Sequence, residues 1–288
     1  MFRPYEPAPS SLADRPFERL IARLGETFAV RDVMVPLDQV KSVKPREEEE
    51  AARIIREMRY SVVPASNDDG RTFNSVFIAE RGLGAGENIA KKAKTVVSDY
   101  IPESTPLAEA FSLFDTREWY LTIRANRVSG LITYWAFNSH EFRVQLYTGL
   151  SRIEELSRNV LEKDGCGITD GTGLSLSDKA LQMIRGRIGP VWRTNGGNRF
   201  VDELDYRQVH TALGKHQRWR EFLAKRPGGA VNDAEYGQRF NFSDLRNSVM
   251  HGRTLFPTYR DFTSSGTKIK RIGELIDHLD AYLAMPST

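Results

Sequence analysis

Two hydrophobic rhythms divide the chain. From Val30 to about Tyr134, short apolar runs alternate with amphipathic stretches, and from Ser139 onward the apolar spacing is helical almost throughout. The first residues, with Pro4, Pro7, Pro9 and Ser10-Ser11, read as a loose arm ahead of a short helix, with Phe17, Leu20, Ile21 and Leu24 at helical spacing. Val30 to Pro36 opens the alternating region and Val40 to Val43 reads as a strand. Pro45 then starts a helix with an inward face of Ala51, Ile54, Ile55 and Met58, its first turn carrying Glu47 to Glu50. Two strands, Ser61 to Pro64 and Ser75 to Ile78, follow around a turn at Asn67-Asp68-Asp69-Gly70.

The same order then returns. Thr95 to Pro102 echoes the first opening, and Thr105-Pro106 starts a helix facing inward with Leu107, Ala110, Leu113 and Phe114. Trp119 to Arg124 is a strand, Ala125-Asn126 a turn, and Val128 to Tyr134 a second strand. Two copies of strand–helix–strand–strand, about 65 residues apart, make an internal repeat.

The second half predicts four to five helices. His140 to Leu161 buries Phe142, Leu146, Leu150, Ile153 and Leu156, and follows the last strand with almost no linker. A Gly-rich loop from Asp164 to Gly173 lacks the Lys-Ser/Thr ending of a phosphate loop. Helices are expected at Asp178 to Ile188, capped by Ser177, and at Phe200 to Leu223, after a turn-rich Trp192 to Asn198. Two more lie within Asp233 to His251 and at Lys268 to Leu283.

Composition narrows the classes. The 288 residues suffice for two domains, and 40% hydrophobic with 27% charged is a globular profile. A net charge of +3 permits a local basic patch but predicts no nucleic acid by itself. Cys166 is the only cysteine, so no intrachain disulfide and no zinc–cysteine cluster can form. His140, His210, His216, His251 and His278 share no metal-ligand spacing, so no metal site is expected. With no apolar run near the roughly 18 residues of a span and no signal-peptide pattern, no membrane role and a cytoplasmic location are expected.

The chemistry concentrates in Asp244-Leu245-Arg246-Asn247-Ser248-Val249-Met250-His251-Gly252-Arg253. Leu245, Val249 and Met250 can face a core, and Gly252 offers a helix stop. Chemistry at a phosphate ester without a metal needs groups that move protons and a cation for the charge on phosphorus. Histidine titrates near neutrality, and arginine stays charged with a fork matching phosphate oxygens. Asn247 lies one helical turn before His251 and could orient its ring. Arg246 is about 140° round the helix from His251, so a long reach or a second subunit must complete the site. The plainer reading is that Arg and His near a helix end serve the dipole and the last carbonyls. Arg239, Arg253, Arg260, Lys268 and Lys270 surround the motif, with Tyr236, Phe240 and Tyr259 between them as stacking or core residues.

Arg-Asn-x-x-x-His near a helix end resembles the signature of the HEPN superfamily, helical bundles that include many metal-independent endoribonucleases. The resemblance implies Arg246 on the scissile phosphate, His251 in proton transfer and Asn247 orienting His251 or a phosphate oxygen. It also implies RNA as partner and a composite site in a homodimer. The repeat resembles a tandem pair of CBS domains, carried best by Gly130-Leu131-Ile132-Thr133-Tyr134-Trp135-Ala136 against the family's Gly-h-h-Thr-x-x-Asp, where h is apolar. Thr133 is retained while Ala136 stands at the aspartate position; the first copy, Ser75-Val76-Phe77-Ile78-Ala79, departs further. The pair implies an adenine nucleotide (ATP, ADP or AMP) held by groups after Tyr60, walls at Val62 and Val63, and Thr133. Arg59, Arg117 or Arg124 would answer the phosphates. The losses leave a ligand-free dimerisation scaffold as an equal alternative.

The fold expected is thus α+β. An arm and short helix occupy residues 1–28, a CBS pair 29–138 (copies about 29–92 and 93–138) and an all-α HEPN-like bundle 139–288. The function expected is an RNA-cutting enzyme leaving 2′,3′-cyclic phosphate ends and regulated by nucleotide, with toxin or anti-phage roles implied. The alternative is a non-catalytic RNA- or protein-binding module on a CBS scaffold.

Overall fold

The computed structural model describes residues 28–58, 60, 62–66, 73–81, 88–95, 99–166, 173–188, 200–230 and 232–286. The expected arm and first helix, the turn at Asn67 to Gly70, Arg59, most of the Gly-rich loop and the Trp192 to Asn198 loop lie outside them. The described residues combine helices with two sheets, and fall into two compact units. One lies within Glu26–Arg143 together with Phe256–Thr263, the other within Val144–Leu255 together with Ser264–Thr288. No helix among the described residues is long and apolar enough to cross a membrane.

In the first unit the strands are β1 (Val35–Pro36), β2 (Val62–Ser66), β3 (Phe73–Arg81), β4 (Asn88–Lys94), β5 (Tyr100–Pro102), β6 (Trp119–Arg124) and β7 (Arg127–Thr133). The helices are α1 (Glu48–Met58) and α2 (Leu107–Leu113). One sheet has the order β1-β7-β6-β5 and the other β2-β3-β4. Each repeats one device. β5 runs parallel to β6 across α2, and Val43 makes an isolated parallel bridge to Ala65 of β2 across α1. Each second strand then turns back antiparallel, β2 onto β3 and β6 onto β7. The β6–β7 turn holds Ala125 at φ 47° and Asn126 at φ 61°, the mirror-image turn that matches strand twist.

Side-chain alternation explains why β2 reads as an unbroken apolar run. Val63 and Ala65 pack with Ala51, Ile54 and Ile55 of α1, while Val62 joins Val76, Tyr100, Trp119, Leu121 and Leu131 in a second core. Both faces are covered, so no polar face is left to alternate. Three expectations change. Val40 to Val43 is not a strand: Leu37–Gln39 is a 3-10 turn and Val43 alone bridges, in a segment closed by prolines at both ends. Met58 is exposed, because α1 ends there. β4 was not foreseen, since Asn88-Ile89-Ala90-Lys91-Lys92-Ala93-Lys94 has weak strand propensity. It pairs along β3 as a lysine-rich edge, where charge blocks further pairing, and Lys92 Nζ donates to the Pro45 carbonyl at 2.6 Å.

An aromatic cluster draws the distant segment Phe256–Thr263 into this unit. Phe111 stacks on Phe142 at 5.3 Å and meets Phe262 at 4.7 Å. Asn138 clasps Phe256 through both amide atoms, at 2.9 and 3.1 Å, and the Tyr259 hydroxyl donates to the Phe114 carbonyl at 2.7 Å.

Residues 140–286 hold more helices than expected: α3 (His140–Lys163), α4 (Asp178–Ile188), α5 (Tyr206–Lys215), α6 (Gln217–Leu223), α7 (Asp233–Phe240), α8 (Ser243–Met250) and α9 (Tyr259–Leu283). Caps divide the long stretches. Asp205 and Gln208 form a reciprocal capping box that starts α5 after a 3-10 turn at Phe200–Glu203. His216 ends α5 and begins α6 in one extended residue. Asn232 caps α7 by accepting the Glu235 N–H at 2.9 Å. Gly214 lets α5 and α7 meet closely, for a Cβ there would sit 2.6 Å from the Tyr236 ring.

In the second unit, Asp164 sits just beyond α3 with its side chain 2% exposed. His216 Nε2 and the Tyr282 hydroxyl each lie 2.5 Å from its Oδ2, and Arg218 Nη1 donates to Oδ1 at 2.9 Å. Lys163 beside it donates to the Tyr282 and Leu283 carbonyls at the end of α9, at 3.1 and 3.0 Å. Burial would push the Asp164 carboxyl up, but the Tyr282 and His216 bonds and the charges of His216 and Arg218 hold it below its ordinary value.

A carboxyl depressed in the folded state stabilises above its unfolded pKa and loses that stabilisation as pH falls through the folded value. Asp164→Asn should therefore cost on the order of 3 kcal/mol near neutrality. In urea titrations the gap to wild type should hold above the unfolded Asp value of about 3.9 and close below it. An unchanged gap at lower pH would show that Asp164 is not the titrating group.

Candidate functional site

Helix α8 starts where the Asn241 side chain accepts the Ser243 N–H at 3.0 Å, and it ends in a two-bond Schellman turn. Gly252, at φ 63°, donates to the Val249 carbonyl at 3.3 Å and Arg253 to that of Ser248 at 3.0 Å. The stop expected at Gly252 is in place. His251 becomes the C-cap, its N–H bonded to the Asn247 carbonyl at 3.0 Å and its residue exposed to solvent. Val249 is buried and Leu245 half-buried, but Met250 is 49% exposed, against expectation. It lies about 100° round the helix from Val249, past the edge of the apolar stripe.

Arg246 projects elsewhere. Its side chain is 30% exposed, with Nη2 at 3.4 Å from Glu154 Oε2 and its guanidinium 5.3 Å over the Tyr206 ring. The other Glu154 oxygen, Oε1, accepts from Arg158 Nη2 at 2.6 Å. Arg158 in turn reaches the Val201 and Leu204 carbonyls at 3.2 and 2.7 Å. No hydrogen bond or ion pair joins Arg246 to His251, nor the Asn247 side chain to His251, among the described residues. Within one chain the motif therefore presents an exposed His251 and Asn247, and an anchored Arg246.

Behind Arg246, Tyr206, His210 and Tyr236 form a stacked column with ring separations of 6.2 and 4.8 Å. Burial lowers the His210 pKa to about 4, so this ring stays neutral at neutral pH. Burial raises the Tyr206 phenol, and the Glu154 charge adds to the rise. Tyr236 and Phe240 are buried in this region, core residues and not free stacking surfaces. Sequence reasoning missed Glu154, Arg158 and Tyr206. The i,i+4 pair Glu154–Arg158 was legible, but nothing local signals that it meets Arg246.

The residues expected around a nucleotide are only partly gathered. Val62 is 2% exposed and spent in the core between the sheets, so its side chain is no ligand wall. Tyr60 is exposed. Thr133 pairs with Trp119 at one end of the β6–β7 hairpin, and Arg124 pairs with Arg127 at the other. Five strand steps separate those ends, about 17 Å, so Thr133 and Arg124 cannot meet one phosphate. Arg124 also lies 3.4 Å from Glu103. Arg117 is the arginine at the Thr133 end, its guanidinium over the Trp119 and Tyr120 rings at 5.5 and 5.8 Å and paired with the buried Asp99.

These contacts separate structural from exposed members of the motif. Arg246→Ala should lower stability by about 1 kcal/mol through the lost cation–π contact and ion pair. His251→Ala should stay within about 0.5 kcal/mol of wild type. Urea denaturation of both variants checks this; equal losses would contradict the exposed placing of His251.

No family model matches the chain, and no curated protein matches it. Among solved structures it is similar to the CBS domain of a bacterial CNNM/CorC family Mg2+ transporter in complex with ATP. The identity is 22% over 44% of this chain and 94% of that one, with a TM-score of 0.32.

Proposed function

We propose that the chain is a metal-independent endoribonuclease of HEPN type that works as a homodimer. The observation that carries this reading is the turn at Gly252, which leaves His251 exposed, with an exposed Asn247 one turn earlier and Arg246 held just before that. His251 would take the proton from an RNA 2′-hydroxyl as its oxygen attacks phosphorus. The P–O5′ bond then breaks, and a second proton-transfer group protonates the leaving 5′-oxygen. The products are a 2′,3′-cyclic phosphate and a 5′-hydroxyl. Arg246 would neutralise the phosphorane, where a preorganised donor is worth about 3 kcal/mol. Because Arg246 and His251 point apart on α8, a second copy supplies the opposing group.

The repeated strand–helix–hairpin device of the first unit supports a tandem CBS reading, with an adenine nucleotide as regulator. The Thr133 end of the β6–β7 hairpin, with Arg117, is the candidate phosphate end. The second reading, a non-catalytic RNA- or protein-binding module, is favoured by one observation: Arg246 already has partners within its own chain.

Incubation with mixed RNA in EDTA, with and without ATP or AMP, separates the two. Wild type should leave 2′,3′-cyclic phosphate ends, and His251→Ala should lose at least about 100-fold in rate while remaining folded. A nucleotide effect on that rate, lost in Thr133→Ala, supports the sensor. RNA bound but uncut by wild type and variant alike favours the binding module.

A further inference from the structure

We infer that Glu154 is the positioning residue for Arg246, holding one edge of the guanidinium so that its other edge stays open to an RNA phosphate. The phosphate part of this rests on the nuclease reading above; the hold on Arg246 does not. Arginine carries five N–H donors in a rigid fork. Nη2 faces Glu154 and the guanidinium lies over the Tyr206 ring, while Nε and Nη1 make no hydrogen bond among the described residues. Nη2 belongs to both bidentate edges of the fork, so with one of its N–H groups at Glu154 its other N–H, beside Nε or Nη1, still completes an edge for two phosphate oxygens.

The division of the carboxylate matters as much as its position. Arg158 takes one Glu154 oxygen at 2.6 Å, and Arg246 approaches the other at 3.4 Å. One carboxylate between two guanidiniums leaves one positive charge over within this trio. The contact to Arg246 uses one donor, so a phosphate can meet the open edge while Glu154 keeps its hold. A tight bidentate Glu–Arg pair would instead have to be broken first. Arg158 serves the site twice, since its bonds to the Val201 and Leu204 carbonyls fix the backbone just ahead of Tyr206.

Two measurements on the full chain test this. Nitrogen-15 NMR of the Arg246 guanidinium, assigned with Arg246→Lys, should show restrained rotation in wild type and free averaging in Glu154→Gln. Free averaging in wild type would overturn the inference. In single-turnover cleavage of RNA, Glu154→Gln should slow the rate at saturating RNA about 10- to 100-fold and add nothing in the Arg246→Lys background. The same extra loss in both backgrounds would show that Glu154 acts on structure and not through Arg246, and would overturn the inference too. A restrained Arg246 in a wild type that cuts no RNA removes the nuclease reading and leaves the hold of Glu154 standing.

Discussion

A carboxylate taken out of water must find donors for its lone pairs, and the second unit is arranged around two such groups carried by α3 and its end. Asp164 draws His216, Arg218 and Tyr282 onto one side chain, and so ties the end of α3 to the α5–α6 junction and to α9. Half-buried Glu154, nearly three turns earlier, does likewise with Arg158 and Arg246. Of the apolar stripe, Leu156, Val160 and Leu161 bury the helix between them, and Leu146, Leu150 and Ile153 bury it ahead of Glu154. The stripe supplies burial energy without direction; the carboxylates specify which neighbours meet it.

The consequence for chemistry is a division of labour on α8. Arg246 points back towards α3 and is anchored, while His251 points to solvent because Gly252 stops the helix beside it. An anchored cation and an exposed ring thus share one short helix without meeting.

The first unit solves a different problem. A hairpin buries one face easily, but β2 buries both, one against α1 and one against the other sheet. That uses up Val62, which local reasoning assigns to a ligand.

The sequence by itself determined the elements whose signals are local. β6 spans Trp119–Arg124 as read, α4 spans Asp178–Ile188 with its Ser177 cap, and the inward face of α3 is the one its periodicity marks. It also determined the helix stop at Gly252, because only a residue at ease with positive φ serves there. Strand–helix repetition was legible for the same reason: hydrophobic period depends on the residues within a few positions. Tertiary structure decided the rest. The predicted third and fourth helices are divided by caps whose strength shows only once neighbours are packed. β4 exists because β3 offers it an edge, and Phe256 to Thr263 joins the first unit because aromatic partners far away in sequence await it. Arg246 was legible as a candidate, but its partners were not. An ion pair between α3 and α8 depends on how helices pack, and packing is a property of the whole chain.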